Sequence, residues 1–159
     1  MAIELGQRAP DFTAPCGDGT QVQQFTLSQE LGDKNIVLAF FPLAFTPVCT
    51  DELCEFRDHL AQLGQLDAKV LGISVDSPFT QNAFIKANGL SFKLVSDFNK
   101  EIIEQYGVKY QELGGLKGVA KRSIFLLDKQ GTVRYKWISE DAGVKPAQQE
   151  IIKALESIR

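Results

Sequence analysis

The residues most able to do chemistry in this 159-residue chain sit in FFPLAFTPVCTDELCEFRD, residues 40–58. An apolar run ends at Pro42, and a helix-like run opens at Thr46-Pro47. Thr46 suits an N-cap and Pro47 the first helical position, which puts Cys49 in the first turn. Unpaired backbone N–H groups and the positive end of the helix dipole point there. Such surroundings favour a thiolate, the form of cysteine that attacks electrophiles. Cys49, Leu53, Phe56, Leu60 and Leu63 recur at helical spacing, so the thiol faces the protein interior. Position alone is equally compatible with Cys49 as a small buried hydrophobe.

Three kinds of partner could activate the thiol. His59 is the only histidine and lies ten residues further along the same helix, roughly 15 Å up the axis. That excludes a papain-like Cys–His pair and predicts a solvated His59. Cys49, Cys54 and His59 step about 140° each around a helix, so they do not converge on a metal, and no metal or other cofactor is expected. The remaining partner is Arg122. Arg122 begins RSIFLLD, and it and Lys121 are adjacent at a strand start, so they point to opposite faces and one can point inward.

Cys54 stands five residues after Cys49. Five residues along an ideal helix separate Cα atoms by roughly 8.7 Å, whereas a disulfide needs roughly 4.4–6.8 Å. The two cysteines therefore bond only if the first turn unwinds. Unwinding is expected to expose Phe45 and Phe56 and to lower thermal stability.

The elements that must position these residues are legible from periodicity. NIVLAFF (35–41) and AKVLGISV (68–75) read as buried strands on either side of the cysteine helix (48–63), a βαβ unit. GDG at 17–19 reads as a hairpin turn in an irregular, partly β-prone opening third. PFTQNAFIKANG and KEIIEQYG read as helices closed by glycine, and SIFLLD and TVRYKWIS as a hairpin turning at Gly131. PAQQEIIKALESIR reads as a closing helix with proline in its first turn. This order predicts one α/β domain over residues 1–159, a mixed sheet with helices on both faces. The loop 109–121, KYQELGGLKGVAK, carries three glycines and leads into Arg122.

Composition narrows the class. A net charge of −3 gives no reason to expect nucleic acid or an anionic membrane as partner. No stretch has the length of a membrane helix, and the N-terminus does not read as a secretory signal. Three cysteines do not make a disulfide scaffold, so a reducing cytoplasm is the expected compartment.

PLAFTPVC, residues 42–49, resembles the P-x-x-x-T-x-x-C signature of the peroxiredoxins, and Arg122 resembles the arginine that family places beside its thiolate. APDFT near the start and the order of elements extend the resemblance over nearly the whole chain. FFPLAFT and ISVDSPFTQNAF look like the alkyl hydroperoxide reductase E group. TPVCTDELCEFRD looks like the bacterioferritin comigratory protein group, or peroxiredoxin Q. The resemblance implies a thioredoxin-like fold and a thiol-dependent peroxidase acting on hydrogen peroxide and organic hydroperoxides. It implies Cys49 as peroxidatic nucleophile and Thr46 as hydrogen-bond partner of the peroxide. Arg122 would stabilise charge, and Pro42 would shield the thiolate. Cys54 would be the resolving thiol, recycled by thioredoxin or a similar dithiol, in a monomer or homodimer. Glu52 matches an acidic position of the family, where it would orient the arginine or stabilise the helix dipole. Cys16 matches nothing in the motif and reads as structural.

Two alternatives accompany this reading: a one-cysteine peroxidase recycled by an external thiol, and a non-catalytic thioredoxin-like binding or chaperone module. A general disulfide oxidoreductase would need two cysteines separated by two residues, which the chain lacks.

Overall fold

The computed structural model describes residues 2–158. Its central sheet contains β1 (Thr13–Gly17), β2 (Val22–Thr26), β3 (Asn35–Phe40), β4 (Ala68–Ser74), β5 (Lys93–Ser96), β6 (Ser123–Leu127) and β7 (Val133–Ile138). The seven strands lie in the order β2-β1-β5-β4-β3-β6-β7. β3, β4 and β5 run parallel, and the remaining pairs are antiparallel. Every residue of β3 is buried, as expected for the continuous apolar run of a strand covered on both faces.

Strand alternation divides the core in two. Val37, Ala39, Ile124 and Leu126 face α2 (Pro47–Gln65), α3 (Pro78–Asn88) and α5 (Gln148–Ser157). Leu38, Phe40, Phe125 and Leu127 face the short α1 (Leu27–Glu30), α4 (Glu101–Tyr106) and the N-terminal segment. The fold is thus a mixed sheet with helices on both faces, as predicted. Gly89 and Gly107 close α3 and α4 in the left-handed conformation that glycine adopts without strain. Gly131, with φ of 87°, turns the β6–β7 hairpin.

Two local expectations change. Pro146 precedes α5 rather than lying in its first turn, because Ala147 is still extended and acts as N-cap. The opening third contains the α1 turn as well as a hairpin. The closing helix expected from the sequence extends to Arg159, which lies outside the described residues.

Candidate active site

α2 begins where β3 ends, at the C-terminal edge of the parallel strands. Phe41 N still donates to Ile73 O at 3.0 Å, and the buried Pro42, lacking an N–H, ends the ladder. Phe45 then takes φ of 68°, a conformation that a bulky side chain adopts only under strain. The turn is held from the side: Ala44 N donates to Asp76 Oδ2 at 2.8 Å, and that oxygen also accepts from Ser74 Oγ at 2.7 Å. Nothing in residues 40–58 announces Asp76. It reaches the site because β4 lies beside β3 and its C-terminal end meets the same loop.

Thr46 occupies the N-cap position, and its carbonyl accepts the first intrahelical bond from Thr50 N at 2.9 Å. Its side chain does not cap the helix; the hydroxyl donates to Leu43 O at 2.7 Å. The Val48 and Cys49 amides lie ahead of that first bond, in the turn whose donors the helix leaves unpaired. Cys49 itself has no solvent exposure.

Arg122 comes from the opposite side, one residue before β6, which pairs with β3 and so carries the arginine across the helix mouth. Its side chain is turned inward and buried, while Lys121 turns outward to Glu140. Each part of the guanidinium is used: Nη2 lies 3.1 Å from Cys49 Sγ, Nη1 donates to Glu52 Oε1 at 2.8 Å, and Nε donates to Ala142 O at 2.9 Å. Burial opposes its charge, but the Cys49 sulfur and the Glu52 carboxylate outweigh burial and hold the guanidinium more firmly protonated than usual.

Glu52 is wholly buried and lies beyond the first turn of α2, away from the helix N-terminus and in contact with the arginine. Burial pushes its carboxyl up to about 7, although Arg122 pulls the other way. Its Oε2 is buried without a hydrogen-bond partner among the described residues.

The other titratable candidates lie outside this cluster. His59 is half-buried rather than fully solvated, with Nδ1 against Glu55 O at 2.9 Å on the far part of α2. No cluster of potential metal ligands occurs among the described residues. Cys16 is buried in β1, where burial raises its thiol to about 11 and disfavours the thiolate.

Cys54 is half-buried on an unbroken α2, its thiol donating to Asn88 Oδ1 at 3.7 Å. Cys49 and Cys54 are both free thiols in this state. Unwinding the first turn cannot newly expose Phe45, which is already 54% exposed and packs edge-on against Phe84. Phe56 is fully buried and remains the ring at stake.

The chain is similar to known proteins over most of its length. Residues 5–136 match the AhpC/TSA family. A chloroplastic 2-cysteine peroxiredoxin of Chattonella marina var. antiqua is 38% identical over 146 residues, covering 87% of this chain and 72% of that protein. Alkyl hydroperoxide reductase E of Mycobacterium tuberculosis is 37% identical over 145 residues, covering 90% of each. The chain spans 59% of the length of the spinach 2-Cys peroxiredoxin BAS1, at 32% identity. The crystal structure of peroxidoxin BcpB from Mycobacterium tuberculosis superposes with a TM-score of 0.86 at 32% identity, covering 99% of both chains. With the sheet order and a cysteine at the helix mouth already in place, these matches assign the chain to the AhpC/TSA family, among the peroxiredoxins with their thioredoxin fold.

Proposed function

We propose that the chain is an enzyme, a thiol peroxidase that reduces hydrogen peroxide and organic hydroperoxides through Cys49. The observation that carries this reading is the 3.1 Å approach of Arg122 Nη2 to a fully buried Cys49 sulfur. A binding or chaperone module has no use for a guanidinium desolvated against a thiol, a placement that costs folding energy unless the charge is employed.

In the first step the Cys49 thiolate attacks one peroxide oxygen. The O–O bond breaks, sulfur is oxidised to a sulfenic acid, and the other oxygen leaves as alkoxide or hydroxide and takes a proton. Arg122 stabilises the thiolate and then the negative charge growing on the leaving oxygen. Thr46 Oγ1, its own hydrogen committed to Leu43 O, accepts from the peroxide O–H. Pro42 and the buried strand end keep bulk water off the sulfur. Glu52 fixes the guanidinium plane.

In the second step, the Cys54 thiolate attacks the sulfenate sulfur. The S–O bond breaks, hydroxide leaves as water after protonation, and a Cys49–Cys54 disulfide forms. A dithiol such as thioredoxin returns both thiols by exchange. A one-cysteine cycle is favoured by one specific observation: Cys54 is held by Asn88 on an intact helix and must wait for α2 to unwind. Residues 1–159 form one domain on this reading. Three cysteines are too few for a disulfide scaffold, which supports a reducing cytoplasm as compartment, and no helix among the described residues is long and apolar enough to cross a membrane. The exposed Phe45 ring beside the site supports a homodimer that covers this loop, with a monomer as the alternative.

The test is intact-mass and peptide mapping after one equivalent of hydrogen peroxide with a sulfenic-acid trap present. A loss of about 2 Da mapped to a Cys49–Cys54 link supports the two-cysteine cycle, and an adduct on Cys49 alone supports the one-cysteine cycle. No change at either cysteine, or full peroxidase activity in Cys49→Ser, overturns the peroxidase.

A further inference from the structure

A second candidate site lies at the opposite end of the sheet from Cys49. β5 joins β4 only from Leu71 onward, where Lys93 is its first partner, while β3 accompanies β4 from Ala68. The segment 68–70 therefore has a neighbouring strand on one side only. The notch so formed opens into a cavity of about 360 Å³. Its apolar walls come from both halves of the core, Phe25 and Ile36 from one and Val70 and Phe92 from the other. That volume lies at the small end of the range for ligand pockets.

Gly64 keeps the notch open. It lies in the last turn of α2 and lines the cavity. Glycine weakens a helix, so a reason for it should be visible. Gly64 does not have positive φ, the left-handed position at this helix end being taken by Asp67, and a Cβ built on Gly64 meets nothing within 4 Å. Neither a turn nor close packing requires the absence of a side chain. What the glycine does provide is space, next to the similarly small Ala68.

The charge at the cavity has one sign in excess. Lys34, Lys69 and Lys93 line it, with Ser91 as a neutral donor and Glu30 as its one carboxylate. Lys69 is neutralised by Glu30 at 2.6 Å. Neither Lys34 nor Lys93 makes an ion pair among the described residues. On a chain of net charge −3, two unpaired ammonium groups beside an apolar slot are a specific arrangement. Lysines supply point charges without the fork that grips phosphate bidentately, and no arginine is present to supply one.

We propose that this notch binds a straight-chain monocarboxylate of roughly eight to twelve carbons, its chain on Phe25, Val70 and Phe92 and its carboxylate between Lys34 and Lys93. Gly64 is fifteen residues from Cys49 on α2, roughly 22 Å along the axis, so the site is separate from the peroxide site and stands independently of the peroxidase reading.

The test is calorimetric titration of the full chain with decanoate, alongside amide-shift mapping. Decanol serves as the neutral control and acetate as the control without a chain. Saturable decanoate binding is expected, with the Ala68–Leu71 and Phe92–Lys93 amides shifting and both controls at least about tenfold weaker. The double variant Lys34→Glu/Lys93→Glu should weaken decanoate by a similar factor. Gly64→Leu, which fills the slot from a position where a Cβ fits, should abolish binding while leaving peroxidase activity intact. Absence of saturable binding, equal affinity for decanol, or unchanged affinity in Gly64→Leu would each overturn the proposal.

Discussion

Arg122 and Cys49 are 73 residues apart in sequence, yet the guanidinium Nη2 and the sulfur are 3.1 Å apart with both side chains buried. The contact exists because β6 pairs with β3 in antiparallel register, Ser123 opposite Phe40, which sets the residue before Ser123 against the helix that follows Phe40. On the proposed mechanism, Arg122→Met removes the main charge facing the developing oxyanion. The rate of peroxide reduction should fall by about 10²–10³-fold. Stopped-flow measurement with hydrogen peroxide gives the number, and a loss below threefold would count against the role assigned to Arg122.

The Glu52–Arg122 pair has a pH signature. Burial raises the Glu52 carboxyl from its ordinary 4.5 to about 7. An acid with a raised folded value contributes stability that is fully present below about pH 4.5 and is lost as pH rises through about 7. The total is on the order of 3 kcal/mol, from one pKa unit being worth about 1.4 kcal/mol. In Glu52→Gln this loss should disappear. Urea unfolding of both proteins at pH 5 and pH 8 tests it: the variant should gain relative to wild type at the higher pH. Parallel pH profiles would show that Glu52 is ionised throughout.

Asp76 is expected to control the entry to α2 through Ala44 N and Ser74 Oγ. Asp76→Ala leaves both donors without that acceptor, which should cost about 1–3 kcal/mol. Because the loop also carries the strained Phe45, the loss should appear first as faster amide exchange at residues 43–50. Unaltered exchange in that segment would show that the aspartate does not hold the loop.

Local unwinding of α2 should be measurable in the oxidised protein. A Cys49–Cys54 bond cannot form on the intact helix, so oxidation must give up the first turn and the packing of Cys49 and Leu53, both fully buried. The disulfide form should melt below the reduced form, at roughly 2–4 °C for each kcal/mol lost in a chain of this size. Equal melting temperatures for the two forms would argue that α2 does not open.

Much of this was open to reading from the chain alone, for a physical reason. The β3 run, the α2 stripe and the turn glycines Gly89, Gly107 and Gly131 are local signals, set by side-chain periodicity and by backbone angles that few residues tolerate. Thr46-Pro47 likewise marked the helix start, and with it the position of Cys49 at the positive end of the dipole. Nearest-neighbour chemistry determined these features, and it is written in consecutive residues.

What required the tertiary structure was every relation across strands. That Arg122 rather than Lys121 faces inward, that Glu52 grips it and that Asp76 holds Ala44 all depend on strand order and register. The notch at Gly64 depends on where β5 begins relative to β4. Sequence by itself determined which elements form and which residues carry chemistry, because those follow from local energetics. Only the packed sheet decided which of those residues meet, because a long-range contact follows from the joint burial of many side chains and not from any one segment.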